Sequence, residues 1–194
     1  MYTADYIAYI ILASIALIEL FMIIYCIEYI ICAFILHQPP FVPTNKNTRK
    51  LIVQTIKQYY PHTKSVCEIG SGYGTLARLI GKHTNAKVIA LENMPFSALL
   101  SKILDRLQNK SKTIKTDAFE YLAKTKRKFD IGIAYLSPED SNKLLKYKNK
   151  IKTLITIDFA IDKIRPTKII DAGLGYTKYN HKLYPHKIFI YKFQ

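Results

Sequence analysis

The stretch Val66-Cys67-Glu68-Ile69-Gly70-Ser71-Gly72-Tyr73-Gly74 decides the fold of this chain. Residues suited to a buried strand run straight into three alternating glycines, with a helix-forming segment beginning at Thr75. Glycine lets the backbone turn tightly and approach a ligand with no Cβ in the way, and the following helix presents free N–H groups. A strand, a glycine loop and a helix in this order open a βαβ series.

Working outward, the patterning predicts a helix over 45–60, strand 64–69, helix 75–82, strand 87–91 and helix 96–109. Strand 113–116, a short helix 118–124, strand 130–135, a helix within 137–148 and strand 153–159 continue the alternation, which implies a parallel sheet. Residues 160–167 are too few and too proline-constrained for a crossover helix, so 168–174 and 187–192 read as a hairpin whose last strand is antiparallel to its neighbour. The fold class is α/β, a Rossmann-like and mostly parallel sheet with its last strand antiparallel.

Three acids stand at successive strand ends. A dinucleotide loop would place its third glycine at position 75, where this chain has Thr75, so that pattern fails. Glu68, two places before Gly70, would repel a pyrophosphate but suits a cationic ligand such as the ammonium and sulfonium of S-adenosylmethionine. Glu92 ends the next apolar run, 22 positions after Gly70, where a carboxylate can accept both ribose hydroxyls. Asp117 follows the third run, where it can meet an adenine amino group. Taken singly, a glycine cluster is also a plain turn and a strand-terminal acid also a helix N-cap.

In this order and spacing the chain resembles class I S-adenosylmethionine-dependent methyltransferases over residues 45–194. The resemblance implies the class I methyltransferase sheet, S-adenosyl-L-methionine as cofactor, and a binding set of Glu68, Gly70, Ser71, Gly72, Gly74, Glu92, Asn93, Asp117 and Ala118.

Residues 6–36 are apolar apart from Glu19 and Glu28 and contain neither proline nor glycine. As a helix these 31 positions reach about 46 Å, more than the roughly 30 Å of a bilayer core, and read as one transmembrane helix with its ends tilted or interfacial. Between residues 7 and 26, eleven Ile, Leu or Phe outweigh the single Glu19 on an insertion scale. Absence of a basic segment before the apolar run, and of a clear small-x-small site, argues for a retained anchor over a cleaved signal peptide. Every Lys and Arg follows the run, beginning with Lys46, which places the body of the chain on the cytoplasmic side of a single-pass membrane protein. Glu19 and Glu28, nine residues apart, point to opposite sides of such a helix; each is either a protonated or snorkelling carboxyl or a contact to a partner helix. The organisation expected is an anchor over 1–36, a linker and amphipathic helix over 37–62, and a methyltransferase domain over 63–194.

Three of the 14 acidic residues and none of the 29 basic ones precede position 37, so the remainder carries a net charge of +18. Lysine outnumbers arginine 24 to 5, whereas phosphate grooves lean on arginine forks and stacked aromatics. Attraction to an anionic lipid bilayer is therefore favoured over nucleic acid as the partner. Cys26, Cys32 and Cys67 form no Cys-x-x-Cys pair and the histidines are scattered, so neither a disulfide framework nor a metal is implied.

A second resemblance is narrower. Pro40-Phe41-Val42-Pro43, the Glu68–Gly72 loop, Glu92 with Asn93 and Pro95, the stretch from Tyr135 to Pro138, and Phe159 with Pro166 resemble the small membrane-anchored lysine N-methyltransferases that modify the ATP synthase c subunit and the adenine nucleotide translocase. The family loop continues Asp-Gly-Arg where this chain has Tyr73, Gly74 and Thr75. The resemblance implies a lysine acceptor on a membrane protein.

Methyl transfer is an in-line displacement that mainly needs alignment, so few catalytic side chains are required. A lysine acceptor must reach the neutral form from a pKa of about 10.4. Tyr135 and Ser137, at the end of the fourth strand, are the candidates to line the acceptor channel. The Asn/Asp-Pro-Pro-Tyr signature of adenine and glutamine methyltransferases is missing. Lipid, small-molecule or RNA acceptors, and a tethered adaptor that has lost the cofactor, are the alternatives.

Overall fold

A computed structural model of the chain describes residues 2–31, 34, 43–107 and 110–193. It divides into two compact units, Met1–Val42 and Pro43–Gln194. Positions 1, 32, 33, 35 and 36 of the expected anchor, the expected linker over 37–42 with its Pro-aromatic stretch, and positions 108 and 109 of the expected helix 96–109 lie outside the described residues.

In the first unit, helix α1 spans Tyr2–Ile30. Within it Asp5–Ile30 is long and apolar enough to cross a membrane. The Ser14 hydroxyl donates to the carbonyl of Ile10 at 2.8 Å, so its polar group is satisfied within the helix itself.

The second unit alternates helices and strands: α2 Lys46–Tyr59, β1 Ser65–Ile69, α3 Thr75–His83, β2 Lys87–Glu92, α4 Pro95–Asp105, β3 Ser111–Lys115, α5 Ala118–Lys124, β4 Phe129–Ala134, α6 Pro138–Lys143, β5 Ile151–Ile157, β6 Lys168–Tyr179 and β7 Lys182–Lys192. One seven-stranded sheet has the order β3-β2-β1-β4-β5-β7-β6, parallel except for β7, which is antiparallel to both β5 and β6. The mostly parallel sheet with an antiparallel final strand is the one the sequence pattern predicts. Between β1 and β4 the strand order reverses, and the crevice at their carboxyl ends is where ligands bind in open α/β sheets.

Strands β1, β2, β4 and β5 are buried on both faces, as near-continuous apolar strands dictate. Val66, Val88, Ala90, Ile131, Ile133, Ile155 and Ile157 face α2 and α3, while Cys67, Ile69, Ile89, Leu91 and Leu154 form a second core with Leu122 and Leu144. Helix α2 begins where the Asn45 side chain accepts the N–H of Thr48 at 2.8 Å, and its Ile52, Val53 and Ile56 stripe joins the first core. At the amino ends of the strands Asp130 accepts the N–H groups of Lys64 and Ser65, the Ser65 hydroxyl and the Lys152 ammonium, which pins β1, β4 and β5 together.

Several boundaries differ from expectation, β5 among them, which runs Ile151–Ile157 against the expected 153–159. Strand β3 begins two residues earlier than 113, because Ser111 and Thr113 are held by Asp105 and the polar run Lys112-Thr113 carries no apolar signal. The hairpin strands are far longer than 168–174 and 187–192. Gly173 and Gly175 take φ of +116° and +123° in the irregularity between Asp171 and Tyr176, after which pairing resumes to Tyr179↔Lys182. Pro185 lies beyond the pairing with β5, which begins at Ile188, so its missing N–H costs the sheet nothing there. Asn180 and His181 close the hairpin with both residues left-handed, as a two-residue type I′ turn requires.

Candidate functional site

The loop from β1 to α3 is built on left-handed glycines: Gly70, Gly72 and Gly74 have φ of +70°, +54° and +65°. At Gly74 a Cβ would come within 2.1 Å of Ser101 Oγ, and at Gly70 within 3.0 Å of Leu136 Cδ2, so both backbone posture and space demand glycine. The N–H groups of Gly70 and Ser71 both donate to the carbonyl of Leu91 at 3.0 Å, and Gly74 donates to Ser71 at 2.9 Å. Arg78, one turn into α3, folds back so that Nη2 donates to the carbonyl of Tyr73 at 2.7 Å and Nη1 lies 3.8 Å from Asp105. The loop thus has a cation beside it although Thr75 is not the arginine of the resembled family.

Glu92 and the loop meet directly. Its Oε2 accepts the N–H of Gly72 at 2.6 Å and its Oε1 that of Met94 at 2.8 Å, while its backbone carbonyl accepts from Thr116, next to Asp117. Glu68 is buried beneath the same loop, and burial pushes its carboxyl up to about 8; Glu92 nearby adds to the rise, while the Ala77 N–H, Arg78 and Arg49 oppose it. Glu68 Oε2 and Ser71 Oγ are buried without a hydrogen-bond partner.

The structure therefore brings Glu68, Gly70, Ser71, Gly72, Gly74 and Glu92 together at the carboxyl end of β1. Asn93 is half-buried between Glu92 and Met94 in the β2–α4 connection. Asp117 caps α5, its Oδ1 accepting the N–H of Glu120 at 2.9 Å, with Ala118 the first residue of that helix. Orphaned buried oxygens on Glu68 and Ser71, beside backbone that glycine keeps open, fit a ligand that brings hydrogen-bond donors and positive charge. The ammonium end of S-adenosylmethionine has that chemistry, and the residues present fit it.

Tyr135 and Leu136 follow β4, with Leu136 against Gly70. Burial, followed by the charge of Asp158, pushes the Tyr135 phenol up to about 12, whereas its bond to Thr177 opposes the rise. Its hydroxyl donates to Asp158 Oδ2 at 2.9 Å and its ring stacks on Phe159, centroids 6.3 Å apart. Ser137 caps α6, its Oγ accepting the N–H of Asp140 at 3.1 Å. The sequence reading missed Asp158, Thr177 and His186. Asp158 was reachable by the logic that found Glu68, Glu92 and Asp117, being a fourth acid at a strand end, but strand 153–159 was expected to run through it. Thr177 and His186 are brought in only by the extended hairpin.

No family model matches the chain, and no curated protein matches it. Solved structures do. The chain is similar to an RNA methyltransferase from Salinibacter ruber in complex with S-adenosyl-L-homocysteine, with a TM-score of 0.63 at 14% identity over 78% of this chain and 94% of that one. It is similar to precorrin 8w decarboxylase from Methanobacterium thermoautotrophicum, with a TM-score of 0.58 at 17% identity over 80% of this chain and 93% of that one. It is also similar to TrmK from M. capricolum in complex with S-adenosyl-homocysteine, with a TM-score of 0.55 at 10% identity over 73% of this chain and 67% of that one. At these identities the likeness is one of fold: the second unit has the Rossmann-like fold of methyltransferases.

Proposed function

We propose that the chain is an S-adenosylmethionine-dependent methyltransferase held at a membrane by α1, and that its acceptor is a lysine of a membrane protein. The observation that carries the cofactor reading is the pair of orphaned buried oxygens, Glu68 Oε2 and Ser71 Oγ, under a loop whose middle glycine is fixed by Glu92. Solved structures of the same fold hold S-adenosyl-homocysteine, which supports the same reading. When bound, the cofactor supplies a methyl group on an activated sulfonium.

The chain's own residues divide the work. Glu68 and Ser71 receive the donors of the methionine end, Gly70, Gly72 and Gly74 keep the backbone open to it, Glu92 and Asn93 serve the ribose, and Asp117 and Ala118 the adenine. Tyr135 lines the acceptor side, and Ser137 fixes the loop beside it by capping α6. With the cofactor bound, the methyl group would be supplied to the neutral amine nitrogen of an acceptor on the Tyr135 side, and the amine proton would pass to water.

A lysine acceptor on a membrane protein rests on the apolar helix Asp5–Ile30, which confines search to the bilayer, and on the motif resemblance from Glu68 to Pro166. The test is transfer of labelled methyl to detergent-solubilised membranes by the full chain, with Gly70→Arg as control. Methyl-lysine in a membrane protein, lost in the variant, supports the reading. Label extracted into organic solvent, or recovered in RNA, refutes the lysine acceptor while keeping the methyltransferase; no S-adenosyl-homocysteine binding up to millimolar refutes both and favours a tethered adaptor.

A further inference from the structure

Asp158 is 3% exposed and stands at a left-handed φ of +61° just past β5, a conformation that an Asp adopts at some cost and that a buried acid needs a reason to keep. Its backbone N–H donates to the carbonyl of Lys187 at 2.7 Å, and its Oδ1 accepts the Lys187 N–H at 3.2 Å, which locks the residue against β7. Its other oxygen, Oδ2, faces three groups from three strands or strand ends: Tyr135 Oη at 2.9 Å, Thr177 Oγ1 at 2.6 Å and His186 Nδ1 at 3.1 Å. Tyr135 and Thr177 also touch each other at 2.9 Å.

Counting hydrogens shows what this cluster presents outward. A carboxylate only accepts, and each hydroxyl has one hydrogen. Thr177 donates to Asp158 Oδ2 at 2.6 Å and Tyr135 donates to the same oxygen at 2.9 Å. With its hydrogen engaged inside the cluster, Tyr135 turns a lone pair toward a ligand. A lone pair backed by a buried carboxylate matches an N–H donor carrying positive charge and mismatches phosphate, carboxylate and carbonyl groups.

The surroundings suit the same guest. Phe159 stacks on Tyr135 and receives Tyr179 and Tyr184 edge-on, with centroids 5.6 and 4.7 Å away, and Tyr179 donates to Glu139 at 2.9 Å. Aromatic faces attract an ammonium and pack a methylene stem.

We propose that Asp158 is the specificity-determining and positioning residue of the acceptor side: by consuming the Tyr135 proton it makes Tyr135 a pure acceptor that admits a primary alkylammonium, the end of a lysine side chain. This rests on the reading of Tyr135 as the acceptor wall. Once the ammonium has released one proton to water, a remaining N–H stays on Tyr135 and the nitrogen lone pair is free to attack.

The test titrates n-butylammonium and the isosteric 1-butanol into the full chain in detergent, saturated with S-adenosyl-homocysteine, following tyrosine ring carbons by NMR. Wild type should bind the ammonium at least tenfold more tightly than the alcohol. Asp158→Asn and Tyr135→Phe should each erase that preference while S-adenosyl-homocysteine affinity stays within twofold. Equal binding of the two probes to wild type, or a preference retained in either variant that keeps its circular dichroism, overturns the proposal; if Asp158→Asn fails to fold, Tyr135→Phe carries the test. O-phosphoethanolamine binding more tightly than n-butylammonium would overturn the lysine assignment in favour of an aminolipid headgroup. If S-adenosyl-homocysteine does not bind, the methyltransferase reading falls by itself, and the same probe ratio without it still decides the role of Asp158.

Discussion

The carboxylate of Glu92 accepts the backbone N–H of Gly72 at 2.6 Å, so the acid that ends β2 holds the middle glycine of the loop that ends β1. The same side chain caps the N–H of Met94 at the start of α4. Glu92 therefore shapes the loop before any ligand arrives, and the two adjacent parallel strands reach the crevice as one preformed unit.

Replacing Glu92 by Gln turns one acceptor into an amide donor, which faces the N–H of Gly72 or that of Met94. Leaving one buried N–H without an acceptor costs about 1–3 kcal/mol. The expected outcome is a fall in S-adenosyl-homocysteine affinity of roughly ten- to a hundredfold and a lower melting temperature, read by calorimetric titration and thermal unfolding of the same sample. Unchanged affinity would detach Glu92 from the ligand site.

Gly74→Ala should destabilise on two counts. Its left-handed φ of +65° costs an L-residue about 1–2 kcal/mol, and its Cβ would overlap Ser101 Oγ at 2.1 Å. Only the second count involves Ser101. The double variant Gly74→Ala, Ser101→Ala should therefore be more stable than the sum of the two single losses, a coupling of about 0.5–3 kcal/mol in denaturant unfolding. Strict additivity would mean that the loop relaxes away from α4.

How far the sequence carried the reading follows from where its signals are local. Glu68, the glycines and Glu92 sit within or beside continuous apolar runs, so strand ends and spacing alone placed them in one crevice. The parallel pairing could be expected for the same reason, since helices separate every strand up to β5. The acceptor side was not legible in that way. Asp158 is a strand-end acid whose partners Tyr135, Thr177 and His186 converge only in the fold, and two of these lie on hairpin strands that run beyond 168–174 and 187–192. Asp117 and Ser137 each turn out to cap a helix, α5 and α6, which strand-end position alone cannot separate from ligand contact.

Glu68 makes stability depend on pH with a definite sign. Its folded carboxyl is raised to about 8, above its unfolded value of 4.5, so the folded state binds the extra proton between these pH values. The stability it contributes is fully present below pH 4.5 and is lost as pH rises through 8. Wild type should lose roughly 1 kcal/mol per pH unit across that window relative to Glu68→Gln, whose curve lacks this slope. Parallel curves for the two proteins in urea unfolding at pH 5, 6, 7 and 8 would overturn the assignment.

The same proton reports on the ligand. At pH 7 the free site holds Glu68 mostly protonated, because its carboxyl titrates near 8. A ligand ammonium placed at Glu68 Oε2 favours the ionised form and lowers that value, so binding at pH 7 should expel close to one proton. Titrating S-adenosylmethionine into the full chain in buffers of different ionisation enthalpy measures that number directly. The release should shrink toward zero near pH 9.5, where Glu68 is already ionised, and the difference between wild type and Glu68→Gln removes any proton that comes from the ligand itself. A release at pH 7 that survives in Glu68→Gln would mean that the ammonium is received elsewhere in the loop, whereas its loss ties the buried acid at the end of β1 to the cationic end of the cofactor.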